Sequence, residues 1–178
     1  QTGSTFHVAT RVFPERIRYR TYVLYAFFRK ADEVVDDPGE RSPEQQRRAL
    51  EKIRRAVKGQ TDTEDPVLQA TNRLRETHDI SPEEIDVFID SMLADVSTDR
   101  YETYEDLEGY LRGSSVAVAK MLIAVMAPDL PEDAQPHAKA LAEAFQLTNF
   151  VRDVREDVED RDRIYLPIET LEEYGVSE

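Results

Sequence analysis

Asp32 and Asp36 stand four residues apart in "RKADEVVDDP" (29–38), and Asp153 and Asp157 stand four apart in "QLTNFVRDVREDVED" (146–160). On a helix, residues at that spacing share one face about 5–6 Å apart. Two carboxylates so placed repel by ~3 kcal/mol at an effective dielectric near 20. Such crowding has two physical readings. It is the solvated face of an acidic protein, or it awaits something strongly positive. Extending each line along its helix adds partners: Tyr25, Arg29, Asp32 and Asp36 form one stripe, and Gln146, Asn149, Asp153 and Asp157 form the other. These are oxygen donors without His or Cys, a set that suits a hard cation such as Mg²⁺ or Mn²⁺. Mg²⁺ takes few protein carboxylates, several waters and substrate phosphates. Arg29 and Arg152 separate the two readings, because a solubility face has no use for them whereas a diphosphate does.

Helices must carry both stripes. Ile85, Phe88, Ile89, Met92, Leu93 and Val96 recur with helical period and predict a buried face. No segment alternates with period two. Ser42-Pro43-Glu44-Gln45 and Ser81-Pro82-Glu83-Glu84 combine an N-cap, a Pro at the first helical position and a capping-box partner. Asp65-Pro66 and Thr103 to Asp106 read alike. Helices are expected near 14–37, 42–58, 66–77, 82–97, 104–127 and 132–158, with turns at 38–39, 59–65, 79–81, 98–102 and 128–131. Leu147, Phe150, Val151 and Val154 flank the second stripe, so that helix is expected to be largely buried. No linker divides the chain. The expectation is one all-α domain over 1–178, a large bundle with a deep interior.

Composition narrows the classes. The chain has 178 residues, 6 Gly and no Cys, which suits a reduced, intracellular helical protein. No apolar run approaches the ~20 residues of a membrane span, and no signal peptide is visible. Net charge is −14, which speaks against nucleic acid as a partner. Basic residues are mostly Arg, with Lys only at 30, 52, 58, 120 and 139. That balance fits a high-salt cytoplasm and equally a GC-rich genome. His7, His78 and His137 are scattered and form no metal triad. Arg47, Arg48, Arg54 and Arg55 read as solvated charge paired with Glu44 and Glu51.

"STFHVATRVFPERIRYRTYVLYAFFRKADEVVDD" (4–37), "FIDSMLADVSTDRYETYEDLEGYL" (88–111) and "QLTNFVRDVREDVEDRDRIYLP" (146–167) closely resemble the squalene/phytoene synthase family, most of all its phytoene synthases. The resemblance implies an isoprenoid-synthase fold around a central cavity, here lacking the helices that follow the second motif. It implies head-to-head joining of two prenyl diphosphates through a cyclopropyl intermediate. Geranylgeranyl diphosphate giving phytoene for carotenoid synthesis is the first reading; farnesyl diphosphate giving squalene or dehydrosqualene is the alternative. A non-catalytic acidic helical protein that binds divalent ions loosely is the reading from another class. By the resemblance, Asp32, Asp36, Asp153 and Asp157 are catalytic and, with Asn149, ligate Mg²⁺. Arg29, Arg152, Tyr165 and the N-terminal Thr5 and Phe6 bind diphosphate, and Gln146 supports the second motif. NADPH is not expected. The enzyme is expected in the cytoplasm, with peripheral membrane contact for its lipid product. Two departures stand out: Arg112 interrupts a small-residue stretch after Tyr110, and the chain stops soon after the second motif.

Fourteen excess negative charges repel one another at low ionic strength. The Debye length falls from about 10 Å at ~0.1 M salt to roughly 3 Å at 1 M. Under the high-salt reading the melting temperature should rise steadily with KCl. A variant neutralised at Glu40, Glu44 and Glu51 should need less salt for the same stability. A wild-type melting temperature indifferent to KCl would leave the GC-rich genome as the simpler account.

Overall fold

Pro43, Pro66 and Pro82 each open a helix, where the missing N–H of proline would have had no partner. The residue before each supplies the cap. Ser42 accepts from the Gln45 N–H while the Gln45 side chain returns to the Ser42 N–H. Asp65 accepts from Val67 and Leu68, and Ser81 from Glu83 alone. Thr103 and Asp106 form a second reciprocal box. These local signals set the starts of four helices within a residue of where the sequence places them.

The computed structural model describes residues 10–176. Its helices are α1 (Glu15–Asp36), α2 (Pro43–Val57), α3 (Pro66–Thr77), α4 (Pro82–Asp95), α5 (Tyr104–Leu111), α6 (Val118–Met126), α7 (Gln135–Arg161) and α8 (Ile168–Glu173). A π-helical turn, Arg112–Ala117, joins α5 to α6, and a 3₁₀ turn, Glu132–Ala134, leads into α7. Among the described residues there is no strand, only one isolated parallel bridge between Arg100 and Ile164. The all-α expectation holds. The expected helix 104–127 is interrupted by the π turn, and α7 starts later and runs on to Arg161. Helix α8 was not expected, since six residues are too few to show a period.

The core gathers Leu24 and Phe27 of α1, Leu50 of α2, Ile85 and Ile89 of α4, and Met121 of α6. Phe88 and Met92 are buried with them, while Leu93 and Val96 pack at the edge. Arg54 departs from its expected solvated role. Its side chain is only 17 % exposed and ties α2 to Asp86 and Asp90 of α4, beside a Lys58–Asp86 pair at 2.6 Å.

Helix α7 also departs from expectation. Phe150 and Asp157 are buried, but Val151 and Phe145 are 66 % and 64 % exposed and Leu141 and Val154 are exposed too. Helix α7 packs on the π turn and α6, and no described helix covers its other side. The stretch Tyr104–Met126 is, by length and composition, long and apolar enough to cross a membrane, against the expectation that no run suffices. Its packing accounts for the composition: Leu107, Leu111, Met121 and Val125 are fully or almost fully buried within the described fold.

The π turn is where α4 and the α5–α6 arm come closest. A Cβ on Gly113 would collide with the Val87 carbonyl oxygen and lie 2.7 Å from the Ser91 Cβ. Arg112, which departs from the family pattern, turns away from the cavity. It donates to Glu84 at 2.7 Å, and Lys120 donates to the same carboxylate at 2.9 Å. Burial opposes ionisation of Glu84, but these two cations outweigh it and hold its carboxyl below the usual range.

Gly113→Ala must therefore push α4 away from the π turn. We expect a loss of about 1–3 kcal/mol. By calorimetry that is a fall of several degrees in melting temperature, at roughly 2–4 °C per kcal/mol for a chain of this size. An unchanged melting temperature would show that the crossing yields freely.

Candidate active site

A cavity of about 440 Å³ opens between α1, α4, the α5–α6 arm and α7. Both acidic stripes line it. Asp32 and Asp36 project from α1 with Tyr25 and Arg29, and Asp153 and Asp157 from α7 with Gln146, Asn149 and Arg152. Helical spacing put each stripe on one face, and the fold sets the two faces opposite each other. Beyond the acids the lining turns apolar, with Phe28, Phe88, Met92, Val118 and Leu122. The site thus has a charged mouth and a greasy floor. Thr5 and Phe6 lie outside the described residues.

Arginines separate the carboxylates. Arg29 donates to Asp32 at 3.0 Å and reaches Glu33 at 3.6 Å. Arg152 donates to Asp153 through Nε at 2.7 Å, and this hydrogen bond holds the Asp153 carboxyl below its ordinary range. Arg161 spans the two stripes, with Nη1 2.6 Å from Asp157 and Nε 3.9 Å from Asp36. Arg163 donates to Asp36 at 3.2 Å. Burial pushes Asp157 up despite Arg161. Asp32 keeps 41 % of its side-chain surface open. Even so, its recess in the cavity wall and the nearby Asp36 raise it to about 6, against the pull of Arg29.

The sequence reading missed Arg161 and Arg163. Arg161 was legible as the i+4 partner of Asp157; Arg163 lies past the helix and carried no periodic signal. It also missed Asp95, which sits three residues after Met92 and seven after Phe88, an acid in register with a buried stripe. The Asp95 carboxylate accepts from Tyr110 at 2.8 Å and Tyr165 at 3.2 Å. Tyr165 reaches this place because the chain turns back after α7. Asp162 ends the helix in the left-handed region at φ 53°, and the Ile164 N–H donates to Asp99 at 2.8 Å. Tyr165 then stacks on Phe150 at 4.3 Å, with Tyr110 and Tyr101 nearby. His78 caps α3 through the Leu74 carbonyl and His137 is exposed on α7, so neither belongs to the site.

Among the described residues no three acidic or histidine side chains converge at ligating distance. The donor set is nonetheless all oxygen, as a hard cation requires, and one or two carboxylates from each stripe match the sparse protein ligation of Mg²⁺. Asp32 and Asp36 on one side and Asn149, Asp153 and Asp157 on the other are the residues that would hold such ions.

An all-helical bundle with a cavity flanked by two facing acidic helices defines the isoprenoid-synthase type of fold. The squalene/phytoene synthase family model matches residues 1–178. A 15-cis-phytoene synthase of Synechocystis is 34 % identical over all of this chain and 56 % of its own length. A phytoene synthase of Thermus thermophilus is 31 % identical over 98 % of this chain and 58 % of its own. The crystal structure of a dehydrosqualene synthase superposes with a TM-score of 0.83 at 29 % identity, covering 98 % of this chain and 60 % of that one. The squalene synthase HpnC of Alicyclobacillus acidocaldarius superposes at 0.81 with 27 % identity, covering 98 % and 65 %. The chain belongs to the squalene/phytoene synthase family. It spans little more than half the length of the curated relatives it matches.

Burial raises Asp95 to about 7, against Arg163 and the two phenol hydrogen bonds. Its folded value lies above its ordinary value of 3.8. It therefore favours the folded state most below about pH 4, and that contribution is lost as pH rises through about 7. Asp95→Asn should flatten the fall in melting temperature between about pH 4 and 7. An identical pH profile in the variant would mean that Asp95 ionises freely.

Proposed function

We propose that the full-length protein condenses two prenyl diphosphates head to head. The observation that supports this most is the pairing of two arginine-bearing acidic stripes across one cavity with an apolar floor. The diphosphate is received at the mouth by Arg29, Arg152 and Arg161, whose guanidinium forks match phosphate oxygens. The prenyl tail packs against Phe28, Phe88, Met92 and Leu122. Mg²⁺, when held by the aspartates, neutralises charge that builds on the leaving diphosphate. The apolar wall keeps water from the allylic cation until the double bond of the second substrate attacks it. Loss of a proton closes a cyclopropyl intermediate, its own diphosphate then leaves in a second ionisation, and rearrangement with loss of another proton gives the hydrocarbon.

The product we favour is phytoene, formed from two geranylgeranyl diphosphates without NADPH. Support comes from the relatives named phytoene synthase, at 29–34 % identity. A second reading, farnesyl diphosphate giving a squalene-type product, is favoured by the two structural neighbours named dehydrosqualene and squalene synthase. The non-enzymatic reading accounts for the arginines as counter-charges to the aspartates, but not for the apolar floor behind them.

Incubation with geranylgeranyl diphosphate and Mg²⁺ should yield a colourless C40 hydrocarbon without added reductant. Appearance of a hydrocarbon only with NADPH would move the protein to the squalene side. Asp32→Asn and Asp153→Asn should each cut turnover by about a hundredfold or more, the scale seen when one charge-stabilising group is lost. Asp32→Asn should also leave the metal-free protein at least as stable, because it relieves repulsion with Asp36. Normal turnover in either variant would sink the assignment of the stripes.

A further inference from the structure

Among the described residues, Arg161 is the one cation that pairs with both acidic stripes. It stands in the last turn of α7 and carries three carboxylates on one guanidinium. Nη1 lies 2.6 Å from Asp157, Nη2 lies 2.7 Å from Glu156, and Nε lies 3.9 Å from Asp36 on the opposite helix. Arg29 and Arg152 each stay on their own stripe with about half of the side chain open to solvent. Arg161 is more withdrawn, at 28 %, and the Asp157 side chain beneath it is only 9 % exposed. Arg163 gives Asp36 a second cation at 3.2 Å, but its other arm is fixed on the main chain of Asp95.

The stripe carboxylates are therefore turned to separate guanidinium groups and not to a common point. Asp32 faces Arg29, Asp153 faces Arg152, and Asp36 and Asp157 face Arg161. This is why no three of them converge at ligating distance among the described residues. A Mg²⁺ ion needs a carboxylate oxygen at about 2.0–2.1 Å. A guanidinium nitrogen hydrogen-bonded to that oxygen competes for it in both space and charge. The same guanidinium fork fits phosphate oxygens as well as carboxylate oxygens. A diphosphate arriving at the mouth thus offers Arg161 a second partner. Once Arg161 turns to it, Asp36 and Asp157 lose their shared counter-charge and are open to another cation.

Building on the prenyl-transfer reading, we propose that Arg161 is a resident counter-cation that competes with divalent metal for Asp36 and Asp157 and yields them when a diphosphate draws its guanidinium away. In the free protein it holds the two stripes together and keeps metal affinity low. Metal and diphosphate binding are thereby coupled, and each strengthens the other by the same factor.

The test is a binding titration of the full-length protein with Mn²⁺, read by electron paramagnetic resonance. It is run with and without inorganic pyrophosphate at matched free Mn²⁺. Wild type should bind Mn²⁺ alone weakly, and pyrophosphate should tighten that binding by about tenfold. Arg161→Gln should bind Mn²⁺ alone about tenfold more tightly than wild type, and most of the tightening by pyrophosphate should disappear. Arg155→Gln removes the same charge from the same helix. Its side chain is 85 % exposed and pairs only with Glu159, so it should titrate as wild type does. Arg161→Lys keeps the charge but holds one carboxylate at a time, and its affinity for Mn²⁺ alone should fall between wild type and Arg161→Gln. If Arg161→Gln does not fold, Arg161→Lys carries the test and must bind Mn²⁺ alone more tightly than wild type. Wild-type or weaker Mn²⁺ affinity in the Arg161 variants, or an equal gain in Arg155→Gln, would overturn the proposal and leave the prenyl-transfer reading standing. A wild type that binds no Mn²⁺ even with pyrophosphate would instead overturn the reading of the stripes as a metal and diphosphate site, and the proposal with it.

Discussion

Asp36 receives Arg161 and Arg163, and through them the end of α1 is held to the end of α7. Most of the site depends on that junction. Four stripe aspartates are gathered at one mouth, and at helical spacing each pair costs ~3 kcal/mol of repulsion at a dielectric near 20. Without internal cations the two helices would be driven apart. Arg29, Arg152 and Arg161 sit among the acids and make the crowding tolerable. Exposed pairs of this kind contribute little stability singly. Their importance is geometric, since they keep the two acidic walls facing each other across an open cavity.

The same junction orders the floor. Arg163 holds both Asp36 and the main chain of Asp95. The short bridge between Arg100 and Ile164 lays the loop after α7 against the loop after α4. Tyr165 is thereby brought onto Phe150 and Asp95. Under the proposed prenyl transfer, a charged mouth would grip the leaving group and a dry apolar floor would shelter the cation. In this fold, two residues beyond the end of α7 supply links to both.

The π turn decides the shape of the remaining wall. Gly113 lets α4 approach within contact of the α5–α6 arm, and the widened turn places Ser114 and Val118 on the cavity. Arg112, an oddity in the sequence, becomes ordinary once its place is known. It faces away from the cavity and, with Lys120, neutralises Glu84.

Helix starts at Pro43, Pro66 and Pro82 were legible because caps and first-turn prolines act within a few residues. Membership of the stripes was legible because helical period alone puts Asp32 with Asp36 and Asp153 with Asp157 on one face. The amino-acid sequence by itself therefore determined the all-α class, the two acidic faces and their arginines. It could not show that α7 leaves Val151 and Phe145 exposed, since an apolar flank looks the same whether or not a neighbour covers it. Nor could it show Arg163 on Asp36, 127 residues away, or Asp95 between two tyrosines 15 and 70 residues distant. Contacts at such separations arise only from how packed helices and returning loops meet in space. Tertiary structure thus decided which charges are paired and which carboxylate is buried between two phenols.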